Sequence, residues 1–234
     1  MAKFARSQHC TDCVDCNRKL PLFQLLSGEE LETMNRNRFE VRFKVGETIF
    51  KQGTSATHLL VITSGLAKLY VEGVQDRQLI IRIIRPWELV GHAGLYYDSR
   101  HHYSIAALDE VTACFIGIEE FKASLRSNAE FAEEFIKAYT SKGIFSYEKM
   151  VSLSQKQMHG RIADGLLYLS HNVYGDSSFN MHLSRQDLAD LTGMSKDSAI
   201  RILKEFHHEG VIELKGRKLT ILNPDQLEHI SETG

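Results

Sequence analysis

Between Phe39 and Ile118 the apolar residues come in short runs, each closed by a turn residue. Val41, Phe43 and Val45 alternate with charged positions and stop at Gly46; Thr48-Ile49-Phe50 stops before Gly53. Leu59 to Ile62 precedes Ser64-Gly65, Leu66 to Val71 precedes Gly73, and Leu79 to Ile84 precedes Pro86. Short runs rich in β-branched and aromatic residues, spaced about ten apart, predict an antiparallel β barrel or roll. From about Asn128 to Leu153 the apolar period changes to three and four, with no proline in the way. Ile136, Tyr139, Gly143, Tyr147, Met150 and Leu153 form one stripe, and Phe131, Phe135, Ala138 and Phe145 form a second. Two apolar stripes on one helix predict two partners, the roll and the same helix of a second subunit. The competing expectation is a helix buried inside a monomer.

Helical periodicity returns over Gln157 to Ser170, Ser184 to Leu191 and Ser195 to His207. Val211 to Leu214 and Leu219 to Leu222 follow, joined through Lys215-Gly216-Arg217-Lys218. A helix pair followed by a glycine-turned hairpin is the pattern of a winged helix-turn-helix. Ser184 stands three residues before Asp187 and Ser195 three before Ser198, so each serine can accept from the backbone N–H of its third helical position. Leu188, Leu191, Ile200 and Leu203 are expected to face inward, with Gly193 in the turn where positive φ is wanted. Lys196, Asp197, Ser198, Arg201 and Lys204 are left on the outer face of the second helix. Their chemistry suits a major groove. Arginine forks onto guanine O6 and N7, aspartate accepts from cytosine N4, and lysine and serine reach phosphates or base edges. Ser184, Arg185 and the wing cations Lys215, Arg217 and Lys218 complete the expected DNA-binding set. A merely solvated helix face would show similar charges, but not the caps, the central glycine and the wing together.

Charge sharpens this picture. The 234 residues carry a net charge of −2, with 43% apolar and 25% charged residues, so bulk electrostatics do not draw the chain to nucleic acid. Residues 156–234 hold 9 Lys or Arg against 11 Asp or Glu, yet seven of those nine cations lie between Arg185 and Lys218. DNA contact is therefore expected to be local. No run approaches the roughly 20 apolar residues of a membrane span, and no apolar core follows the basic N-terminal residues, so a cytoplasmic protein without membrane association is expected. No nucleophile–base pair or Gly-rich nucleotide fingerprint stands out, and no enzyme is expected. Three of the four cysteines cluster in Cys10-Thr-Asp-Cys13-Val-Asp-Cys16, about a hundred residues from Cys114. In a chain without a secretion signal that clustering points to metal or redox chemistry rather than disulfides.

The helix-turn-helix residues, together with Lys44-Val45-Gly46-Glu47-Thr48-Ile49-Phe50-Lys51-Gln52-Gly53 and Ser64-Gly65-Leu66-Ala67-Lys68-Leu69-Tyr70, resemble the CRP/FNR family of bacterial regulators over residues 20–225. The resemblance implies an α+β fold with an N-terminal cyclic-nucleotide-binding-type β roll, a long dimerisation helix and a C-terminal winged helix-turn-helix. The expected boundaries are a cysteine-rich segment 1–19, a sensor roll 20–125, a dimerisation helix 126–155 and a DNA-binding domain 156–234. It also implies a homodimer on a two-fold symmetric double-stranded operator, with half-sites about one helical turn apart, and RNA polymerase as a partner.

For the effector, family members that bind cyclic AMP use Gly-Glu-x-x-Leu followed by Arg-Ser or Arg-Thr. The matching residues here are Gly91-His92-Ala93-Gly94-Leu95 and His101-His102-Tyr103-Ser104, so cyclic AMP is not expected to bind. An imidazole does not replace a guanidinium fork on phosphate. The FNR branch holds a [4Fe–4S] cluster with three N-terminal cysteines and a fourth in the roll; Cys114, after Ala107-Leu108, falls on the fourth position by that resemblance. The second gap of Cys10-x-x-Cys13-x-x-Cys16 is shorter than the commonest FNR spacing. Cys10, Cys13, Cys16 and Cys114 are the candidate ligands, with zinc as a rival occupant because four thiolates suit it equally. Haem or another small ligand near His92, His101, His102 and Tyr103 is a further alternative. The expected function is a transcription regulator responding to oxygen, nitric oxide or redox state. An iron–sulfur redox protein is the competitor from a different class, and it would leave the helix-turn-helix unexplained.

Overall fold

In the computed structural model, which describes residues 20–91 and 93–234, packing divides the chain into two units. One holds the described residues up to 67 together with 84–143, the other residues 68–83 with 144–234.

The first unit begins with a 3₁₀ turn, Pro21–Leu25, and helix α1, Gly28–Asn35. Ser27 and Glu30 form a reciprocal capping box at the start of α1. The strands are β1 (Phe39–Phe43), β2 (Thr48–Phe50), β3 (His58–Ser64), β4 (Ala67–Glu72), β5 (Gln78–Ile84), β6 (Glu88–Val90), β7 (Ser104–Ala107) and β8 (Val111–Gly117), of which the hairpin β4–β5 belongs to the second unit. One antiparallel sheet has the order β1-β8-β3-β6. Phe115 of β8 lies opposite Phe39 on one side and Leu60 on the other, and every residue of β8 is buried. β2 pairs with β7, with a bulge between Thr48 and Phe50. The expected runs thus become strands of a roll. Gly65 is obligatory in the turn after β3, since its φ is +80° and a Cβ there would stand 2.3 Å from the Glu110 carbonyl oxygen.

Helix α2, Ile118–Ser127, packs Phe121 into a core with Leu20, Phe23, Leu31, Met34 and Cys114. Helix α3, Ala129–Gln155, adds Phe131, edge-on to Phe121 at 5.4 Å between centroids, and Phe135 at 5.2 Å. One of the two expected stripes is therefore a packing face. The other, through Ile136, Tyr139, Tyr147 and Met150, is exposed, joined by Ile144 and Val151.

The second unit contains the C-terminal part of α3, then α4 (Met158–Tyr168), β9 (Ser178–Asn180), α5 (Arg185–Thr192), α6 (Lys196–His208), β10 (Ile212–Lys215), β11 (Lys218–Ile221) and α7 (Pro224–Thr233). The helix expected to reach Ser170 stops at Tyr168 and widens into a π turn, Leu169–Tyr174, closed by Gly175 at φ 66°. The wing has three strands, in the order β10-β11-β9, with Leu219 opposite Phe179. No described helix is long and apolar enough to cross a membrane.

Candidate nucleic-acid interface

Both helices of the helix-turn-helix start where the serines predict. Ser184 Oγ accepts from the Asp187 N–H at 3.0 Å while Asp187 Oδ2 accepts from the Ser184 N–H at 2.9 Å, and Ser195 Oγ accepts from the Ser198 N–H at 3.1 Å. Each bond satisfies a donor that a helix start otherwise leaves open. Gly193 closes α5 at φ 63°, the left-handed conformation of a helix C-cap. The carbonyl end of α5 is capped from outside the motif: Lys149 of α3 donates to the Leu191 oxygen, and Arg161 Nη1 of α4 donates to the Gly193 oxygen at 2.9 Å.

Leu188, Leu191 and Leu203 are buried as expected, but Ile200 is not. Ala199 and Ile202 take the fully buried positions of α6, and Ile200 sits half-exposed one residue before Arg201. The inward face of a helix advances by 3.6 residues, so an apolar residue adjacent to two buried ones is carried to the edge of the face. An apolar edge there suits the C5-methyl of thymine, a contact the charged pattern did not signal.

Lys196, Asp197, Arg201 and Lys204 are exposed on α6, with Ser198 half-buried beside its cap. Lys215, Arg217 and Lys218 are exposed around the wing turn, where Lys215 pairs with Glu213 at 2.8 Å. Arg185, the first residue of α5, is half-buried, and its Nη1 is buried with no hydrogen-bond partner among the described residues. Burial pushes its guanidinium below the usual arginine value. An orphaned buried donor of this kind is costly. Asp187 is secured from the hairpin: Lys68 Nζ donates to its Oδ1 at 2.7 Å and to Gln78 Oε1 at 3.2 Å. Burial alone would raise the Asp187 carboxyl, but the hydrogen bonds from Lys68 and Ser184 and the lysine charge outweigh it and hold it below the ordinary value.

Of the expected effector residues that are described, His101 and Tyr103 turn inward and His102 is exposed. His101 is buried, stacked on Phe50 with centroids 4.0 Å apart, and burial lowers its pKa. His102 is partly exposed, with Nε2 3.0 Å from Asp98 Oδ1. Tyr103 turns inward, its hydroxyl accepting from the Gly91 N–H at 3.0 Å. Arg100, near the phosphate position of the resemblance, donates through Nη1 to the Gly53 oxygen at 3.2 Å. His92, Cys10, Cys13 and Cys16 lie outside the described residues. Cys114 is buried in β8, and its Sγ accepts from Arg38 Nε at 2.9 Å. No group of three or more His, Cys, Asp or Glu with metal-holding geometry occurs among the described residues.

Comparison with known proteins agrees with this architecture. Residues 40–128 match the cyclic nucleotide-binding domain and residues 160–230 the Crp-like helix-turn-helix domain. The transcriptional activator protein Anr of Pseudomonas protegens is 25% identical over 224 residues, covering 94% of this chain and 91% of that protein. The fumarate and nitrate reduction regulatory protein of Escherichia coli is 25% identical over 230 residues, covering 95% and 90%. FixK2 of Bradyrhizobium japonicum superposes with a TM-score of 0.77 at 17% identity, over 84% of this chain and 98% of that one. With a cyclic-nucleotide-binding-type roll, a long helix and a Crp-like helix-turn-helix in this order, the chain belongs to the CRP/FNR family of DNA-binding transcription regulators.

Proposed function

We propose that this regulator is a cytoplasmic homodimer that reads a two-fold symmetric operator and answers to oxygen, nitric oxide or redox state. The observation that carries the DNA half is the outer face of α6, where Asp197, Ile200 and Arg201 are adjacent and accessible above two capped helix starts. Arg201 supplies a bidentate donor for guanine, Asp197 an acceptor for cytosine N4, and Lys196, Ser198 and Lys204 contact backbone or base edges. Ser184, Arg185 and the wing cations Lys215, Arg217 and Lys218 hold phosphates. The exposed stripe from Ile136 to Val151 supports pairing of α3 with its copy. Two docked recognition helices then present a surface to RNA polymerase.

The sensor half is assigned to Cys10, Cys13, Cys16 and Cys114, which would hold a [4Fe–4S] cluster or zinc. The described residues fit the cluster in two respects. Arg38 Nε donates to Cys114 Sγ, a contact that suits a sulfur carrying negative charge, as a cluster or zinc ligand does. Leu20, four residues after Cys16 in sequence, packs in the same core as Cys114. A bound cluster would supply oxygen- and redox-sensitive iron chemistry. His101 stacked on Phe50 gives haem no support, and the cassette without its acid and arginine gives cyclic AMP none.

A salt-dependent gel shift on a palindromic promoter fragment tests the DNA half. Arg201→Ala is expected to weaken specific binding by roughly ten- to a hundredfold while leaving non-specific binding in place. Unchanged specific binding refutes the assignment of α6. Iron, sulfide and zinc analysis of anaerobically purified protein tests the sensor half: iron with sulfide supports the cluster, zinc alone replaces it, and no metal removes it.

A further inference from the structure

Arg201 is held on α6 by a relay that begins on another helix. Its Nη1 donates to Glu205 Oε1 at 2.8 Å, one turn further along, and Glu205 Oε2 lies 2.8 Å from Nε2 of His159, the second residue of α4. The imidazole is placed in turn by Phe206, a core residue of α6, whose ring centroid lies 6.0 Å away. The His159 contact, ahead of that from Arg201, keeps the Glu205 carboxyl below the usual glutamate range, so Glu205 meets Arg201 as an anion.

This arrangement has a consequence for base reading. A free arginine loses rotamer freedom when fixed, and its fork is worth most when already oriented. A carboxylate one turn away, itself held from α4, biases the guanidinium toward one orientation before DNA arrives. It engages one guanidinium edge and leaves others for guanine. A glutamate on the groove-facing helix would otherwise repel phosphate, and pairing it with Arg201 and His159 suppresses that.

We propose that Glu205 and His159 are positioning residues that set the Arg201 guanidinium for base recognition, so that operator specificity depends on the contact between α4 and α6. The inference rests on Arg201 being a base-reading residue, as argued above.

The test uses the full-length protein, its operator and a panel of single-base-pair operator variants. Arg201→Ala identifies the base pair at which discrimination is lost. Glu205→Ala is expected to reduce discrimination at that same base pair by about tenfold, the lower end of what one bidentate contact supplies, with non-specific affinity unchanged or raised. A purely structural defect would lower both together. His159→Ala is expected to lose part of that discrimination, and His159→Gln, which keeps a nitrogen donor in reach of the carboxylate, to restore it. In the Arg201→Ala background Glu205→Ala is expected to change discrimination no further. Full discrimination in Glu205→Ala at the base pair that Arg201→Ala abolishes overturns the inference and leaves Arg201 as reader intact. Undiminished discrimination in Arg201→Ala overturns the assignment of Arg201 itself, and the relay with it.

Discussion

Lys149 offers a quantitative test of how α3 meets the helix-turn-helix. Its side chain leaves α3 to cap the Leu191 carbonyl, and burial pushes its amine from the ordinary 10.5 down to about 8, with Arg161 adding to the depression and Asp164 opposing it. That interval corresponds to roughly 3 kcal/mol favouring the neutral amine in the folded protein. Below pH 8 both folded and unfolded chains hold the proton, and the folded protein bears the full cost of a buried charge. Between pH 8 and 10.5 the unfolded chain binds more protons than the folded one, so stability rises with pH, and above 10.5 the cost is gone. Lys149→Met keeps the unbranched stem and removes the titration. The assay is thermal or urea unfolding of both proteins at pH 7, 8 and 9, read as a difference so that other groups cancel. Wild type is expected to gain about 1 kcal/mol on the variant between pH 7 and 9, or about 4 °C in Tm for a unit of this size. At pH 7 the variant is expected to be close to wild type in stability, because relief of the buried charge offsets the lost cap. A flat or falling difference would show that Lys149 is not buried as a charge against α5, and the reasoning fails.

Gly193→Ala forces an L side chain into left-handed backbone at φ 63° and places a Cβ 2.6 Å from Leu153 Cδ2 on α3. The strain and the displaced leucine together are expected to cost about 2 kcal/mol and to weaken specific DNA binding, checked by urea midpoint and gel shift; an unchanged midpoint would contradict the turn geometry. Phe121→Ala empties a fully buried ring site against Phe131 and Phe135. It is expected to lose about 4 kcal/mol in equilibrium unfolding, and a loss under about 1 kcal/mol would place α2 outside the core.

The parts legible in the sequence are those whose cause is local. Ser184 and Ser195 announce helix starts because a cap needs only a side-chain oxygen and an N–H three residues on, and Gly193 marks the turn because left-handed backbone excludes most other residues. The strands of the roll follow from apolar runs of about strand length. What stayed hidden depends on distant partners or on small phase errors. Ile200 was expected inside because it lies three residues before Leu203, yet Ala199 and Ile202 define the buried line and carry it to the edge. β9, Ser178-Phe179-Asn180, has a single apolar residue and too little pattern of its own, and it is a strand by pairing Phe179 with Leu219 of β11. The π turn after Tyr168 substitutes for one expected turn of α-helix, and periodicity alone does not separate the two. His101 and His102 are adjacent in sequence and were grouped as pocket residues, but one stacks inside on Phe50 and the other lies against Asp98. The relay from His159 to Glu205 spans 46 positions, beyond any local rule.

The placement of α6 follows from two kinds of contact with different energetics. Apolar burial of Leu188, Leu191, Leu203 and Phe206 holds α5 and α6 together and is insensitive to direction. The polar contacts from outside the pair, Lys149 to Leu191, Arg161 to Gly193 and His159 to Glu205, are directional and lapse when a donor moves by an ångström. Hydrogen bonds involving charged groups are worth about 1.5–3 kcal/mol each, and coupling between an effector and a distant binding site in proteins is typically about 1–3 kcal/mol. One such contact is therefore of the same size as a typical coupling free energy. Lys149 is the contact that starts on α3, the helix that also buries Phe131 in the core of the first unit and exposes its other stripe. The polar caps at the carbonyl end of α5 thus add directional restraint to a helix pair that the apolar core holds together.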